Sequence, residues 1–183
     1  MNIVVIDTET TWTDEVMSIG AVVASEDFKV VDSRYYLIEP ACCRSAMYAD
    51  VLHLDGTPDE RVGSREEVMK EMRSWLREKE VRSVFAYNAG FDKNHMPELL
   101  DFVWYDIMKI AAYKQHNPYI SEEMSCCKTG RLRSGYGVES IYRMLSGNYR
   151  YCEKHNGWYD ATDELKIMEM LSLPLSVYEK ARI

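Results

Sequence analysis

The sequence begins with MNIVVIDTETTW (residues 1–12), an apolar run that ends in two acidic residues. Residues 3–6 are apolar and β-branched, which is typical of a buried β-strand. Asp7 and Glu9 follow two residues apart, and side chains two apart in a strand point to the same side. Their carboxylates repel each other unless a positive charge lies between them. The stretch therefore predicts the first strand of a sheet with an acidic site at its end.

The composition indicates one globular domain that covers residues 1–183. No apolar run approaches the roughly 20 residues that cross a bilayer, and the N-terminus has no basic segment, so neither a membrane span nor a signal peptide is expected. The formal net charge of −8 argues against a protein that coats duplex nucleic acid. It does not exclude a nucleic-acid substrate, because divalent cations held by clustered acids reverse the local charge.

The cysteines are expected to be structural. None of the five has C-x-x-C spacing, so a zinc or redox site of that kind is not predicted. The adjacent pairs, Cys42 with Cys43 and Cys126 with Cys127, are interpreted as buried thiols. Thiols without a disulfide framework favour a reducing cytoplasm as the location of the protein.

Hydrophobic periodicity predicts an α/β fold, a central mixed five-stranded sheet flanked by helices. The predicted strands are residues 3–6, 18–24, 34–38, 81–87 and 102–105, with a turn at 14–17 between the first two. The predicted helices are residues 64–79, 91–100, 106–115, 138–145 and 159–171. Ser64 followed by Glu67 is a capping-box pattern at the start of the first helix.

Two further acids lie where helices begin. Asp92 is in YNAGFDKN (residues 87–94), and Asp160 is in HNGWYDATDELKIM (residues 155–168), where Asp163 and Glu164 extend the acidic first turn. Helix capping and the helix dipole explain each acid taken alone. A compact α/β sheet, however, can bring Asp92 and Asp160 to the pair in the first strand.

The four acids together indicate a divalent-cation site. Carboxylate oxygens are the ligands that Mg²⁺ and Mn²⁺ prefer, and four of them can hold two such ions with a total charge near zero. Two divalent ions activate water and stabilise the leaving oxygen in phosphoryl transfer. His155, five residues before Asp160, can accept a proton from water at neutral pH, since the ordinary pKa of imidazole is about 6.5.

The chain resembles the DEDDh family, the DnaQ-like 3′→5′ exonucleases on the ribonuclease-H-like fold. VIDTETT (residues 5–11), YNAGFD (residues 87–92) and HNGWYDA (residues 155–161) are similar to its three motifs, in the family's order and across most of the chain. DIMKIAAY (residues 106–113) is similar to the helix between the second and third motifs. The subtype with a catalytic tyrosine fits less well, because Asn156 occupies the position where that subtype has the tyrosine.

The resemblance implies specific roles. The metal ligands would be Asp7, Glu9, Asp92 and Asp160, and the general base would be His155. The substrate contacts would be Thr10, Thr11, Trp12, Asn88 and Phe91. The chain departs from frequent family residues in having Trp12 instead of Gly, Tyr87 instead of His and Gly157 instead of Ala. Trp12 has two open interpretations, a stacking platform for a base or a core residue.

Residues 126–154 form a basic segment inside an acidic chain, with six Lys or Arg against two Glu. Tyr136, Tyr142, Tyr149 and Tyr151 lie among these charges. Basic residues interleaved with aromatic ones suit a single strand, which they bind through phosphate contacts and base stacking. In the alternative interpretation Tyr142 packs in a helix and the other residues are solvated loop positions.

The expected function is a metal-dependent 3′→5′ exonuclease acting on single-stranded 3′ ends, with DNA favoured. One alternative is a 3′→5′ exoribonuclease of the oligoribonuclease or ribonuclease T type, and another is a non-catalytic nucleic-acid-binding module on the same fold. The expected partners are single-stranded DNA or RNA ends and no membrane. A homodimer and a polymerase or repair partner both stay open.

Overall fold

The computed structural model describes residues 2–183, in which a mixed sheet contains six strands in the order β4-β3-β2-β1-β5-β6. The strands are β1 (Asn2–Thr10), β2 (Val16–Ser25), β3 (Val30–Glu39), β4 (Glu60–Ser64), β5 (Val81–Ala86) and β6 (Val103–Asp106). The first three form an antiparallel meander, and β4, β5 and β6 each pair in parallel with a neighbour. The predicted α/β class with a mixed sheet is therefore confirmed.

Strand β1 lies inside the sheet but reaches beyond one of its neighbours. It pairs with β2 along its whole length, whereas its parallel ladder with β5 ends at the pair of Val5 with Phe85. The last residues of β1 thus have a strand on one side only. Asp7 and Glu9 belong to this overhanging part.

Helices cover both faces of the sheet. They are α1 (Arg65–Glu78), α2 (Gly90–His95), α3 (Met108–Ala111), α4 (Val138–Ser146), α5 (Gly157–Leu171) and α6 (Leu175–Tyr178). Because side chains alternate along β1, Val4 and Ile6 face the core beneath α1. Ile3 and Val5 face the opposite core, which α4 and α5 close.

Helix α1 forms as its sequence predicts. Ser64 accepts a hydrogen bond from the N–H of Glu67, and the Glu67 carboxylate accepts one from the Ser64 N–H, which completes the capping box. Its buried side chains recur at helical spacing and include Trp75 and Leu76. The capping box and the hydrophobic periodicity therefore both predict the helix that the structure shows.

The predicted count of five strands is wrong because β4 gave no recognisable pattern. Its sequence, ERVGS, is short, contains glycine and is exposed at four of its five positions. An edge strand of this kind lacks the alternation that marks a half-buried strand. The predicted turn at 14–17 also begins earlier, and β2 starts at Val16.

Two predicted helices are shorter than expected. The helix expected at 91–100 ends at His95, because Met96 precedes Pro97 and has a non-helical backbone, with φ of −122° and ψ of 56°. The helix expected at 106–115 is confined to α3, since the chain then pairs with a distant segment: Leu132 donates to the carbonyl of Ala112.

The interpretation of the paired cysteines as buried thiols is wrong. Cys43 is exposed, whereas Cys42, Cys126 and Cys127 are half-buried; all are free thiols. Cys42 packs at the rim of a small apolar cluster rather than inside the main core.

Within residues 2–183, none of the helices combines the length and apolar character needed to span a bilayer.

Candidate active site

The overhanging end of β1 and the start of α5 bring acidic residues together. Asp7 and Glu9 project from the face of β1 that carries Ile3 and Val5, and α5 packs on that face. Asp160, in the first turn of α5, is 2% exposed. The alternation of β1 thus places its two acids against the helix that carries the third.

Helix α5 approaches the sheet closely through a pair of glycines. A Cβ atom added to Gly20 would lie 2.0 Å from the carbonyl carbon of Gly157, and one added to Gly157 would lie 2.9 Å from the nitrogen of Gly20. Gly20 is the strand partner of Asp7. The backbones of β2 and α5 therefore touch directly beside the first acid, which explains why glycine occupies position 157.

Asp92 enters the site where β5 no longer pairs with β1. Its Oδ1 accepts hydrogen bonds from the backbone N–H of Thr8 at 3.0 Å and from the Thr8 hydroxyl at 2.8 Å. The carboxylate thus satisfies a backbone donor that has no strand partner. Asp92 is 3% exposed, and this contact fixes it beside the acids of β1.

His155 completes the group from a loop just before α5. A ring nitrogen of His155 and carboxylate oxygens of Glu9 and Asp160 all lie within 4.8 Å of one another. The His155 backbone has a left-handed φ of 54°. Its imidazole stacks on the ring of Tyr48, with centroids 4.1 Å apart. Tyr48 is a contact of the site that no motif in the sequence indicated.

Asn156 anchors the His155 loop. Its side-chain oxygen caps α5 by accepting from the backbone N–H groups of Trp158 and Tyr159. Its amide nitrogen donates to the carbonyls of Val51 and Leu52 at 2.8 and 3.2 Å. The segment that carries Tyr48 and the loop that carries His155 are thereby joined through a buried residue.

The acids of the site hold their protons unusually strongly. Burial is the main cause and neighbouring carboxylates add to it: the pKa of Asp7 is raised, and the pKa values of Glu9 and Asp160 are raised to about 8. Burial also raises the pKa of Asp92 to about 7, against the opposing effect of its hydrogen bonds from Thr8. A cation placed among these acids would favour their deprotonated forms, because it offsets the cost of burying negative charge and the repulsion between the carboxylates.

The donor set fits divalent metal ions. Asp7 Oδ2 and Asp160 Oδ1 are buried and have no hydrogen-bond partner within residues 2–183. Buried polar atoms are normally satisfied, so two such oxygens in one place indicate a ligand. Hard carboxylate oxygens suit Mg²⁺ or Mn²⁺.

Comparison with known proteins identifies the fold. Neither a protein-family model nor a curated protein sequence matches this chain significantly. The structure resembles E. coli exonuclease I in complex with a dA16 oligonucleotide, with a TM-score of 0.62, 13% identity and coverage of 98% of this chain and 42% of that chain. The fold is ribonuclease-H-like.

Two further exonuclease I structures resemble this fold to a similar degree. The zinc-bound E. coli exonuclease I complex with single-stranded DNA has a TM-score of 0.60 at 14% identity, with coverage of 93% of this chain and 40% of that chain. Exonuclease I from Methylocaldum szegediense has a TM-score of 0.61 at 13% identity, with coverage of 93% and 40%. The chain thus spans about two-fifths of the length of these exonuclease I chains.

Two further carboxylates lie at this end of the ribonuclease-H-like sheet. Glu164 is 1% exposed, and its Oε2 accepts from the backbone N–H of Tyr87 at 3.0 Å. Glu153 is half-buried, and burial raises its pKa to about 7. Sequence analysis had assigned Glu164 to an acidic helix start. Its position four residues after Asp160, on the same face of α5, was the signal that could have found it.

Some of the predicted substrate contacts are exposed to solvent, whereas others are buried or bonded within the protein. Trp12 is 65% exposed, so its interpretation as a core residue is wrong, and Phe91 is 41% exposed. Asn88 is also exposed, in a turn with a left-handed φ of 58°. Thr10 is half-buried, whereas Thr11 is buried and its hydroxyl accepts from backbone N–H groups of the turn after β1.

The basic segment is partly structural and partly surface. Tyr142 and Tyr151 stack with centroids 4.0 Å apart, and the Tyr151 hydroxyl donates to Asp163, so both are packed. Tyr149 is 80% exposed. The Arg131 guanidinium lies 4.5 Å from the centroid of the exposed Tyr136 ring.

Tyr136 also connects the basic segment to the site. Its carbonyl accepts a hydrogen bond from the hydroxyl of Tyr87, whose own N–H binds Glu164. The pair of half-buried Arg131 and exposed Tyr136 therefore lies on a loop that is bonded to the turn before Asp92. The packing of Tyr142 in a helix is confirmed, and Tyr151 is packed as well. The interpretation of the segment as a nucleic-acid contact stays a prediction.

Proposed function

We propose that the chain is a metal-dependent 3′→5′ exonuclease that hydrolyses phosphodiester bonds at single-stranded 3′ ends, with DNA favoured, and releases nucleoside 5′-monophosphates. The observation that carries the proposal is the convergence of Asp7, Glu9, Asp92 and Asp160 with His155 at one end of a ribonuclease-H-like sheet. The fold shared with exonuclease I, which has been crystallised with single-stranded DNA, supports DNA as the substrate.

The four carboxylates would hold two divalent cations, Mg²⁺ or Mn²⁺. When bound, such ions neutralise the charge of the scissile phosphate and lower the pKa of water. The carboxylates are held in position for such ions: Thr8 orients Asp92, and the contact of Gly20 with Gly157 sets the position of Asp160. It also excludes water from the acids, which makes their charges effective at short range.

His155 would act as the general base. A neutral imidazole accepts a proton from the attacking water at a ring nitrogen. The stack with Tyr48 holds the ring plane, and Asn156 holds the loop. The chain therefore supplies both the proton acceptor and the contacts that orient it.

Exposed aromatic residues near the acids would hold the strand. Trp12 follows β1 three residues after Glu9, and Phe91 immediately precedes Asp92. Both present ring surface to solvent, which suits stacking on the bases of the 3′ end. Arg131 and Tyr136 would bind the strand farther along, through phosphate and base contacts.

A non-catalytic binding module explains the site less well. Buried carboxylates that repel one another destabilise the folded protein. A protein that only bound nucleic acid would gain stability by replacing them with neutral residues. The retention of all four acids next to a histidine favours catalysis.

Labelled oligonucleotides test the proposal. The purified chain is incubated with single-stranded DNA and RNA labelled at either end, with Mg²⁺, Mn²⁺ or a chelator. We expect single-nucleotide shortening from the 3′ end that requires the cation and is faster on DNA. Faster cleavage of RNA would assign the ribonuclease alternative, whereas cleavage in chelator or only from the 5′ end would contradict the proposal.

Matched variants connect the activity to the site. Asp7→Ala is expected to abolish cleavage, since removal of one carboxylate disrupts the cation site, and His155→Ala is expected to lower it at least about 100-fold. Glu66→Ala, an exposed acid on α1 at the other face of the sheet, is the control and should retain full activity. Full activity of His155→Ala at neutral pH would exclude the general-base role.

A further inference from the structure

Glu164 is a buried acid that the proposed mechanism does not use. It lies on α5 four residues after Asp160, hence on the same face of the helix, and it is 1% exposed. Within residues 2–183 no Lys or Arg forms an ion pair with Glu164, and its hydrogen-bond partner there is the backbone N–H of Tyr87. Burial of an ionisable group without a cationic partner is costly, so its presence calls for a function.

The surroundings of Glu164 are those of the cation site. Its Oε2 is bonded to the first backbone N–H after β5, the strand that pairs with β1, and α5 packs on the face of β1 that carries Asp7. The same helix face carries Asp160, whose buried Oδ1 has no hydrogen-bond partner within residues 2–183, as is also true of Asp7 Oδ2. Burial is the main cause that raises the pKa of Glu164, and among neighbouring charges that of Asp92 contributes most. Glu164 therefore lies among the acids of the site, in addition to the four that the motifs of the sequence indicated.

We propose that Glu164 is a fifth carboxylate of the cation centre, which increases its affinity for divalent cations by adding negative charge beside Asp7 and Asp92. This inference rests on the proposed function. Four carboxylates and two dications sum to no net charge, and the fifth leaves an excess of one negative charge. Through Tyr87 it also positions the turn that leads to Asp92. Its role is therefore that of a positioning and charge-supplying residue.

A matched residue separates the charge of Glu164 from its hydrogen bond. Asp106, at the end of β6, is also buried, and its carboxylate accepts from Asn88, the next backbone N–H of the same turn, at 3.0 Å. It lies two strands away from β1 in the sheet. Glu164→Gln and Asp106→Asn both remove a buried charge and keep an oxygen that can accept from the turn.

Isothermal titration with Mn²⁺ tests the inference on the metal-free wild type and both variants. We expect Glu164→Gln to weaken Mn²⁺ binding about 10-fold, as for other residues that support metal ligands, and Asp106→Asn to leave it close to the wild type. Equal affinities of Glu164→Gln and wild type, or equal losses in the two variants, would overturn the inference. Absence of Mn²⁺ binding to the wild type would instead contradict the proposed function.

Thermal unfolding in chelator provides a second readout. Since Glu164→Gln removes repulsion from the metal-free site, its unfolding temperature is expected to equal or exceed that of the wild type. A lower unfolding temperature, or failure to fold, would show that the Glu164 carboxylate is needed for the structure itself and would overturn its assignment to cation binding.

Discussion

The ring of Tyr48 lies nearly parallel to the imidazole of His155, with centroids 4.1 Å apart and planes inclined by 13°. Tyr48 precedes a short 3-10 turn, Ala49–Val51, that is distant in sequence from His155. Asn156 bonds to the end of the same turn. A segment between β3 and β4 thus determines the orientation of the residue proposed to accept the proton.

Replacement of Tyr48 tests this orientation. Tyr48→Ala should lower the cleavage rate about 2- to 10-fold, because an aromatic pair contributes about 0.5–1.5 kcal/mol. Tyr48→Phe retains the stack and should retain the rate, measured at saturating substrate. If Phe is as slow as Ala, the hydroxyl rather than the stack is important, and the positioning role is wrong.

Replacement of Asn156 tests the anchor of the loop. Asn156→Ala removes a helix cap and the amide that donates to the carbonyl of Val51, whereas the Leu52 carbonyl keeps the Tyr35 hydroxyl as a donor, so the cost should be about 1–3 kcal/mol. Asn156→Ser restores a cap but cannot reach both carbonyls, so it should recover about 1 kcal/mol. Denaturant unfolding measures both values. Equal stability of the two variants would show that the cap contributes nothing.

The contact between Gly20 and Gly157 predicts that adding one methyl group at either position lowers the stability of the fold. Gly20→Ala should destabilise the fold by at least about 3 kcal/mol, because its Cβ meets backbone atoms that cannot move aside. Gly157→Ala should cost about 1–2 kcal/mol, since its nearest contacts are longer. Thermal or denaturant unfolding ranks the two variants.

A glycine in open space is the control for this pair. Nothing lies within 4 Å of a Cβ added to Gly90, in the first turn of α2, so Gly90→Ala should stabilise the protein by about 0.5–1 kcal/mol. If Gly20→Ala and Gly90→Ala have similar stabilities, the close approach of β2 and α5 does not exist in solution.

The stability of the metal-free protein should fall as the pH rises. Burial raises the pKa values of Glu9 and Asp160 from about 4 to about 8, so in this window the folded state binds more protons than the unfolded chain. The free energy of unfolding therefore decreases from about pH 4 to about pH 8. Acids with lowered pKa values, such as Glu98 beside Arg65, make their full contribution above about pH 5 and do not oppose this trend.

Thermal unfolding across this pH range, in chelator and in excess Mn²⁺, measures the effect. We expect the unfolding temperature to fall with pH in chelator, and the stabilisation by Mn²⁺ to grow, because the cation binds the deprotonated acids. Asp160→Asn should flatten the slope in chelator. A rise in stability between about pH 5 and about pH 8 would show that the acids are not buried together.

The sequence allowed the central parts of the fold and site to be predicted because they depend on local rules. Strand β1, the capping box at Ser64 and the helix α5 each have their own periodicity or cap. The alternation of β1 also predicts that Asp7 and Glu9 share a face. Their convergence with Asp92 and Asp160 was expected from three motifs in order. In the structure Glu9 and Asp160 lie together with His155, and Asp92 is bonded to Thr8, between Asp7 and Glu9 in the chain.

Other features depend on tertiary contacts that no local pattern contains. Strand β4 is recognisable only from its pairing with β3. Tyr48 reaches His155 from a segment without regular periodicity, and the sequence pattern indicates only that Glu164 belongs to an acidic first turn of a helix. In each case the decisive partner is far away in the chain, so the residue type alone could not reveal it.

The direct contact between Gly20 and Gly157 has a consequence for motion. With no side chain between them, α5 cannot slide or tilt on β2 without a collision of backbones. Asp160 is thus immobile relative to Asp7, whereas His155 belongs to a loop held mainly by side-chain contacts. If the proposed substrate requires the site to open, we therefore expect the movement in the loop of His155 and in the segment of Tyr48, while the acids of β1 and α5 keep their relative positions.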